Sequence, residues 1–251
     1  MGASESVWSV RSSIASPAKK AVLAALLPAL LAFVPVAPAQ PAATFAKSVS
    51  VVGSGELNWD VAVRAAPRSD ARRVTLLRQF RPDYRPQVVL ALSQRTDPTT
   101  GEPSWYRISV PGRPNGRTGW IPAEAADLRP VRELIHIDLS TRRLELWSKG
   151  RLVLKTRVAV GRRGMETPRG LFYVTWKLVP QEPVLGKFAL ETSAYSRLSE
   201  WPGGGIVGIH GTYEPQLLGQ AVSHGCVRVS NRDILRLRSR VGLGTPIRIV
   251  P

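Results

Sequence analysis

Cys226 is the only cysteine in 251 residues, and it stands in AVSHGCVRVSN, residues 221–231, directly after His224 and Gly225. A thiol attacks as its thiolate, and a free cysteine ionises at about 8.5, so nucleophilicity near neutrality needs a base or a positive neighbour. The chain has three histidines to offer. His136 alternates with Ile135 and Ile137, which reads as an outward position on a strand without a catalytic role. His224 lies two residues before Cys226, so in an extended segment both side chains point the same way. His210 ends the apolar run GIVGIH, and Gly211 after it permits a tight exit. Acyl transfer develops negative charge on a carbonyl oxygen, and Gly225 allows backbone to approach it. The N–H groups of His224, Gly225 and Cys226 are therefore candidate oxyanion donors. Two other readings compete: a buried, inert cysteine, and a zinc site built from His210, His224 and Cys226, which lacks a further ligand at matching spacing.

The elements that must position these residues read mostly as strands. After Pro130, LIHIDLS, LELWSKG and RLVLKTRVAVG alternate as strands around the turn TRR, and ETPRGLFYVTWK adds a turn with Pro168 and Gly170 before another strand. The mixed stretch 178–205 is too long for a plain connection, which predicts a lid. RVSNRDILRLRSRVG predicts a helix, with Ser230 and Asp233 at capping-box spacing and Gly242 after the last apolar position, and TPIRIVP a final strand. Upstream, residues 55–128 contain WDVAVRAAP, RRVTLLRQF, QVVLALSQR, WYRISV and GRTGWIPA, short strands bounded by turn residues, hence a separate all-β module. Trp105 and Trp120 read as packing residues of its closing hairpin rather than a ligand shelf.

Residues 40–54 are a small-residue linker. Before them, PAKKAVLAALLPALLAFVPVAPAQ has the parts of an export signal: Lys19 and Lys20, an apolar run from Ala21 to about Val36, and the small residues Ala37-Pro38-Ala39. Residues 1–39 are read as a signal peptide, with an uncleaved N-terminal anchor as the alternative; Pro28, Pro35 and Pro38 interrupt the run. Either way the folded part is expected outside the cytoplasm, in the cell wall, the periplasm or on the extracellular face. A lone cysteine in an exported chain is a free reactive thiol or a partner for another chain. The net charge is +17, and removing residues 1–39, with three basic groups and one acid, leaves +15. The arginines are scattered and no nucleic-acid-binding motif accompanies them, so nucleic acid is not an expected partner. Anionic cell-envelope polymers are.

HGTYEPQLLGQAVSHGCVR, residues 210–228, resembles the signature of the L,D-transpeptidase catalytic domain (YkuD-like), a His-Gly pair leading through a short loop to S-H-G-C. IHIDLSTRRLELW and VAVGRRGMETPRGLFYV extend that resemblance over residues 131–251. VAVRAAPRSDA and WYRISVPGRPNGRTGWIPA resemble a bacterial SH3-like domain, at 55–128. The resemblance implies a mainly β chain: an SH3-like small β-barrel followed by an L,D-transpeptidase β-sandwich with a short helix. It implies Cys226 as nucleophile, His210 as its base, the Gly211 carbonyl as the group that orients the imidazole, and Ser223, His224 and Gly225 as the shapers of an oxyanion pocket. Twelve residues separate His210 from Ser223, fewer than in longer-motif members, and Arg228 stands where those carry asparagine. Arg228 is expected either to hold a substrate peptide carboxylate or to pair with Asp233.

The implied reaction is attack of Cys226 on the bond between an L-centre and the terminal D-residue of a peptidoglycan tetrapeptide stem. A thioester forms, the D-residue leaves, and an amine of a second stem completes a cross-link. No metal or organic cofactor is implied, and carbapenem-type β-lactams are implied inhibitors. The other function classes are an L,D-carboxypeptidase that uses water as acceptor, a non-catalytic cell-wall-binding protein, and a cysteine peptidase of all-L peptides.

Overall fold

The alternating apolar runs upstream of Pro130 form one six-stranded antiparallel sheet. Its strands are β1 (Gly53–Glu56), β2 (Val61–Arg64), β3 (Arg73–Leu77), β4 (Val88–Thr96), β5 (Pro103–Ser109) and β6 (Thr118–Pro122), in the order β1-β4-β5-β6-β2-β3. The computed structural model describes residues 49–200 and 202–251. The signal-peptide reading of residues 1–39 and most of the 40–54 linker lie outside the described residues. Side chains alternate across a strand, so Val61 and Val63 of β2, Val89 and Ala91 of β4, Ile108 of β5 and Ile121 of β6 meet in one cluster. Trp105 and Trp120 lie half-buried on the β5–β6 hairpin, opposite Pro122 and Arg107.

After Pro130 come β7 (Glu133–Asp138), β8 (Arg143–Ser148), β9 (Arg151–Arg157), β10 (Val160–Gly161), β11 (Gly170–Leu178) and β12 (Ala189–Tyr195). They are followed by β13 (Ile206–His210), β14 (Ala221–Ser223), β15 (Val227–Arg228), helix α1 (Asn231–Arg240) and β16 (Pro246–Val250). Eight strands make a mixed sheet in the order β15-β13-β12-β11-β16-β7-β8-β9, while β10 and β14 form a separate parallel pair. Ile135 and Leu146 from one end of that sheet, Ile209 and Val227 from the other, and Ile234 and Leu237 of α1 all enter one buried cluster. Each such side chain contributes about 1.5–3 kcal/mol when fully buried. Residues from opposite ends share one core only because the sheet bends over on itself. The expected sandwich is thus two halves of a continuous ladder, and the expected mainly β class with a short helix is observed.

Helix α1 starts where the capping-box spacing puts it: Ser230 Oγ accepts the Asp233 N–H at 3.0 Å. Asp233 is further held by Thr156 at 2.7 Å and Arg236 at 3.2 Å. His136 lies on the β7 face opposite Ile135 and Ile137, half-buried between Glu145 and Arg248 of the flanking strands. It is four strands from β13.

The stretch 178–205 is not one lid. Its middle is β12, an interior strand paired with both β11 and β13. Ala189, Leu190, Thr192, Ser193 and Ala194 are all buried, so the strand is covered on both faces and uses small polar side chains on them. That removes the apolar–polar alternation by which a half-buried strand is recognised.

The two sheets share contacts that bear on the site. The Tyr173 hydroxyl of β11 donates to the Val88 carbonyl of β4 at 3.0 Å, and both residues are buried. Arg81 and Arg85, from the turn after β3, reach Glu191 of β12 at 2.5 and 3.1 Å, and Thr175 Oγ1 donates to the same carboxylate at 3.1 Å. Glu191 is the strand partner of Gly208 on β13. Directly paired residues project to one face, so the upstream sheet docks on the face of the large sheet that Gly208 belongs to.

Candidate active site

Strand pairing brings Cys226 and His210 together. β13 and β15 run parallel with Ile209 opposite Val227 and His210 opposite Arg228. Ile209 and Val227 point into the core. By the period-two rule, Gly208 and His210 on one strand, and Cys226 and Arg228 on its neighbour, occupy the other face. Gly208 shows the closeness directly: a Cβ built on it would lie 4.0 Å from Cys226 Sγ and 4.0 Å from His210 Cδ2. The Gly208 N–H donates to Sγ at 3.3 Å.

His210 is buried, at 3% exposure, and its Nδ1 lies 2.7 Å from the Gly211 carbonyl. A carbonyl only accepts, so Nδ1 carries the proton and Nε2 keeps its lone pair. Burial pushes the imidazole down to about 4; the Gly211 carbonyl opposes this, the Arg228 charge adds to it, and the Leu185 carbonyl opposes it. Burial raises the Cys226 thiol above its ordinary value, against the Gly208 N–H and the Arg228 charge, both of which favour the thiolate. At neutral pH the resting pair is thiol and neutral imidazole. Gly211 is held close: a Cβ on it would sit 2.2 Å from Asn231 Oδ1, the side chain that also accepts the Lys187 N–H at 2.9 Å.

The turn before Cys226 is built by Ser223 and Thr167. Ser223 is buried, accepts the Gly225 N–H at 3.1 Å and donates to the Cys226 carbonyl at 2.5 Å. The Gly225 N–H, expected as an oxyanion donor, is therefore engaged inside the turn. Thr167 Oγ1 accepts the Gly161 N–H at 2.9 Å and donates to the Gly225 carbonyl at 2.8 Å. Gly225 has φ +119°, and a Cβ there would stand 3.1 Å from Ser196 Cβ. Gly225→Ala is expected to lower stability by roughly 1–3 kcal/mol and to displace Cys226. Thermal unfolding together with the rate of thiol acylation checks both effects, and a variant as fast as wild type would mean the turn does not hold the thiol.

His224 departs from the expected geometry. Residues 224 and 225 form a bend rather than an extended segment, so the two-residue spacing does not align His224 with Cys226. His224 Nε2 instead lies 3.3 Å from the Arg162 guanidinium, and Cys226 turns to β13. Among the described residues no three His, Cys, Asp or Glu side chains are grouped to hold a metal ion. Arg228 does not pair with Asp233: its guanidinium meets Glu214 at 3.1 Å, because β15 points it toward the loop after β13 while Asp233 faces Thr156 and Ser230.

Sequence reasoning missed four residues that shape the site: Gly208, Thr167, Glu214 and Asn231. Thr167 had a signal in its Thr-Pro-x-Gly segment, and Gly208 one in its two-residue offset from His210. Glu214 and Asn231 had none, since they act through loop and helix placement.

A family model for the L,D-transpeptidase catalytic domain matches residues 132–249. The L,D-transpeptidase-named YkuD protein of Bacillus licheniformis is 37% identical over 125 residues, covering 50% of this chain and 68% of the relative. The protein of the same name from Bacillus subtilis is 28% identical over 167 residues, covering 66% and 88%. Among solved structures, an L,D-transpeptidase from Mycobacterium tuberculosis H37Rv aligns with a TM-score of 0.45 at 14% identity, over 81% of this chain and 99% of that one. The Ldtfm–avibactam carbamoyl enzyme aligns with a TM-score of 0.40 at 23% identity, over 51% of this chain and 52% of its own, so the match spans about half of that enzyme. With its signature residues gathered on one edge of the sheet and a relative matched at 37% identity over two thirds of its length, the chain belongs to the YkuD family of L,D-transpeptidases.

Proposed function

We propose that Cys226 is the nucleophile of an L,D-transpeptidase acting on peptidoglycan tetrapeptide stems, with His210 as its base. The observation that carries this is the shared face: Sγ accepts the Gly208 N–H while a neutral, oriented imidazole stands beside the same glycine. His210 Nε2 removes the thiol proton as Sγ bonds to the carbonyl carbon between the L-centre and the terminal D-residue. The N–H groups of His224 and Cys226 are the backbone donors for the oxyanion, with Ser223 bracing the turn that presents them. As the C–N bond breaks, His210 returns the proton to the departing amine, and the D-amino acid leaves a thioester behind. An acceptor amine then attacks that thioester, giving up its proton to His210, and the restored thiol departs with it.

The same reading carries export by residues 1–39, an SH3-like assignment for residues 55–128, and acylation of Cys226 by carbapenem-type β-lactams. Export rests on the three-part pattern of basic, apolar and small residues before Gln40, and the other two on the sequence resemblances.

The test is to incubate residues 40–251 with a disaccharide-tetrapeptide and follow both protein mass and small products. A transient protein adduct, release of a terminal D-amino acid and a cross-linked dimer are expected. Release without dimer makes the enzyme an L,D-carboxypeptidase. Release of an L-amino acid makes it an ordinary cysteine peptidase, and neither adduct nor release leaves a wall-binding protein.

A further inference from the structure

Beside the active-site turn, a cleft of about 910 Å³ opens between the two sheets' loops. One wall is the β5–β6 loop of the upstream sheet, with Arg113, Pro114 and Asn115. The other is the catalytic module's loop before β11 and the end of β12, with Glu166, Thr167, Arg169 and Arg197. Its lining adjoins the turn before Cys226. Ser196, also in the lining, lies 3.1 Å from the position of a Cβ on Gly225, and Thr167 bonds the Gly225 carbonyl, one residue before Cys226.

The upstream wall is fastened, not merely adjacent. Arg113 donates to the carbonyls of Gly204 at 2.8 Å, Ser196 at 2.9 Å and Leu198 at 3.3 Å, and its guanidinium stacks 4.9 Å from the Tyr195 ring. Asn115 clasps the Tyr195 backbone from both sides, donating to its carbonyl at 2.7 Å and accepting its N–H at 3.0 Å. The Arg113 side chain is therefore consumed by structure, and its charge meets carbonyl dipoles instead of a carboxylate.

The lining is unbalanced in charge. Arg113, Arg169 and Arg197 face one acid, Glu166, whose carboxyl is lowered first by backbone N–H groups and then by Arg197 and Arg163. Arg169 and Arg197 are exposed, and no carboxylate of the described residues lies within ion-pair distance of either. A water-filled cleft of one sign concentrates ligands of the opposite sign, and the guanidinium fork fits a carboxylate.

We infer that this two-module cleft is a binding subsite for an anionic peptide, in which Arg169 and Arg197 hold side carboxylates of a stem while its reacting carbonyl lies at Cys226. The inference rests on the proposed stem chemistry for the identity of the peptide. The subsite needs both modules, because Arg113 and Asn115 fix the strand end that presents Arg197. Arg169 and Arg197 are specificity residues; they do not touch the reacting atoms.

The experiment compares wild type with Arg169→Ala/Arg197→Ala on a tetrapeptide stem bearing free side carboxylates and on the same stem with those groups amidated. For the free-acid stem the double variant is expected to raise KM about five- to tenfold with kcat within about twofold. On the amidated stem the two proteins should be equal, and added salt should erase the wild-type advantage. Equal KM on the free-acid stem overturns the subsite. Iodoacetamide labelling of Cys226 is run alongside and should be unchanged in the variant. If neither protein turns over any stem, the stem reading has failed, and calorimetric binding of the two stems to Cys226→Ala then judges the cleft alone. Preference for the free acid that disappears in Arg169→Ala/Arg197→Ala/Cys226→Ala supports the subsite, and equal binding overturns it.

Discussion

Cys226→Ala is expected to abolish turnover of a tetrapeptide stem, by on the order of 10⁴-fold or more, and to eliminate the mass adduct that a carbapenem leaves on the wild-type chain. The reason is local: the chain has one thiol, and it is partly buried on the face it shares with His210. Alanine removes one sulfur from a partly open position, so stability should stay within about 1 kcal/mol of wild type. Parallel thermal unfolding of both proteins makes the activity loss interpretable. A carbapenem adduct persisting in the alanine variant would place the nucleophile elsewhere and remove the basis of the mechanism. Cys226→Ser separates charge from geometry, since the hydroxyl retains a donor and acceptor but is a far weaker acid near this neutral imidazole.

The second large effect is the pH dependence set by His210. Its folded value is lowered to about 4 by burial, so the base form persists well into the acid range. Acylation of Cys226 should hold nearly constant from pH 7 to about 5.5 and fall with a midpoint near 4 as the imidazole becomes protonated. His210→Gln should slow acylation by roughly 10²- to 10⁴-fold and lose that acid limb.

The same shift acts on stability. In the unfolded chain the imidazole binds a proton near 6.5, more readily than in the fold, so stability from keeping it neutral is present above 6.5 and lost as pH falls towards 4. The whole shift corresponds to about 3 kcal/mol, of which about 2 kcal/mol should disappear between pH 7 and pH 5. Urea unfolding at those two values should show the wild type losing that much more than His210→Gln. A rate profile breaking near 6.5 instead would mean that His210 is solvated and charged in the working enzyme.

How legible the molecule was can be followed residue by residue. The strands around Ile135, Leu144 and Ile247 announce themselves by alternation, and α1 by its Ser230–Asp233 cap, because both signals are local. β12 did not, because a strand buried on both faces with Ala, Thr and Ser has no alternation to read. The expected alignment of His224 with Cys226 failed because a glycine at φ +119° turns the chain between them. The expected Arg228–Asp233 pair failed because sequence proximity ignored the register that hands Arg228 to Glu214.

The sequence by itself determined the chemistry on offer: one thiol, two glycine-flanked histidines, a His-Gly to S-H-G-C signature and a strongly basic chain built of short strands. Only the tertiary structure decided where each group sits and what it meets. The parallel pairing of β13 with β15 sets Cys226 and His210 on one face, burial fixes the imidazole neutral, and the docking of the upstream sheet builds the arginine-lined cleft. These are long-range properties, since proximity and desolvation arise from residues distant in the chain, and no local pattern of side chains encodes them.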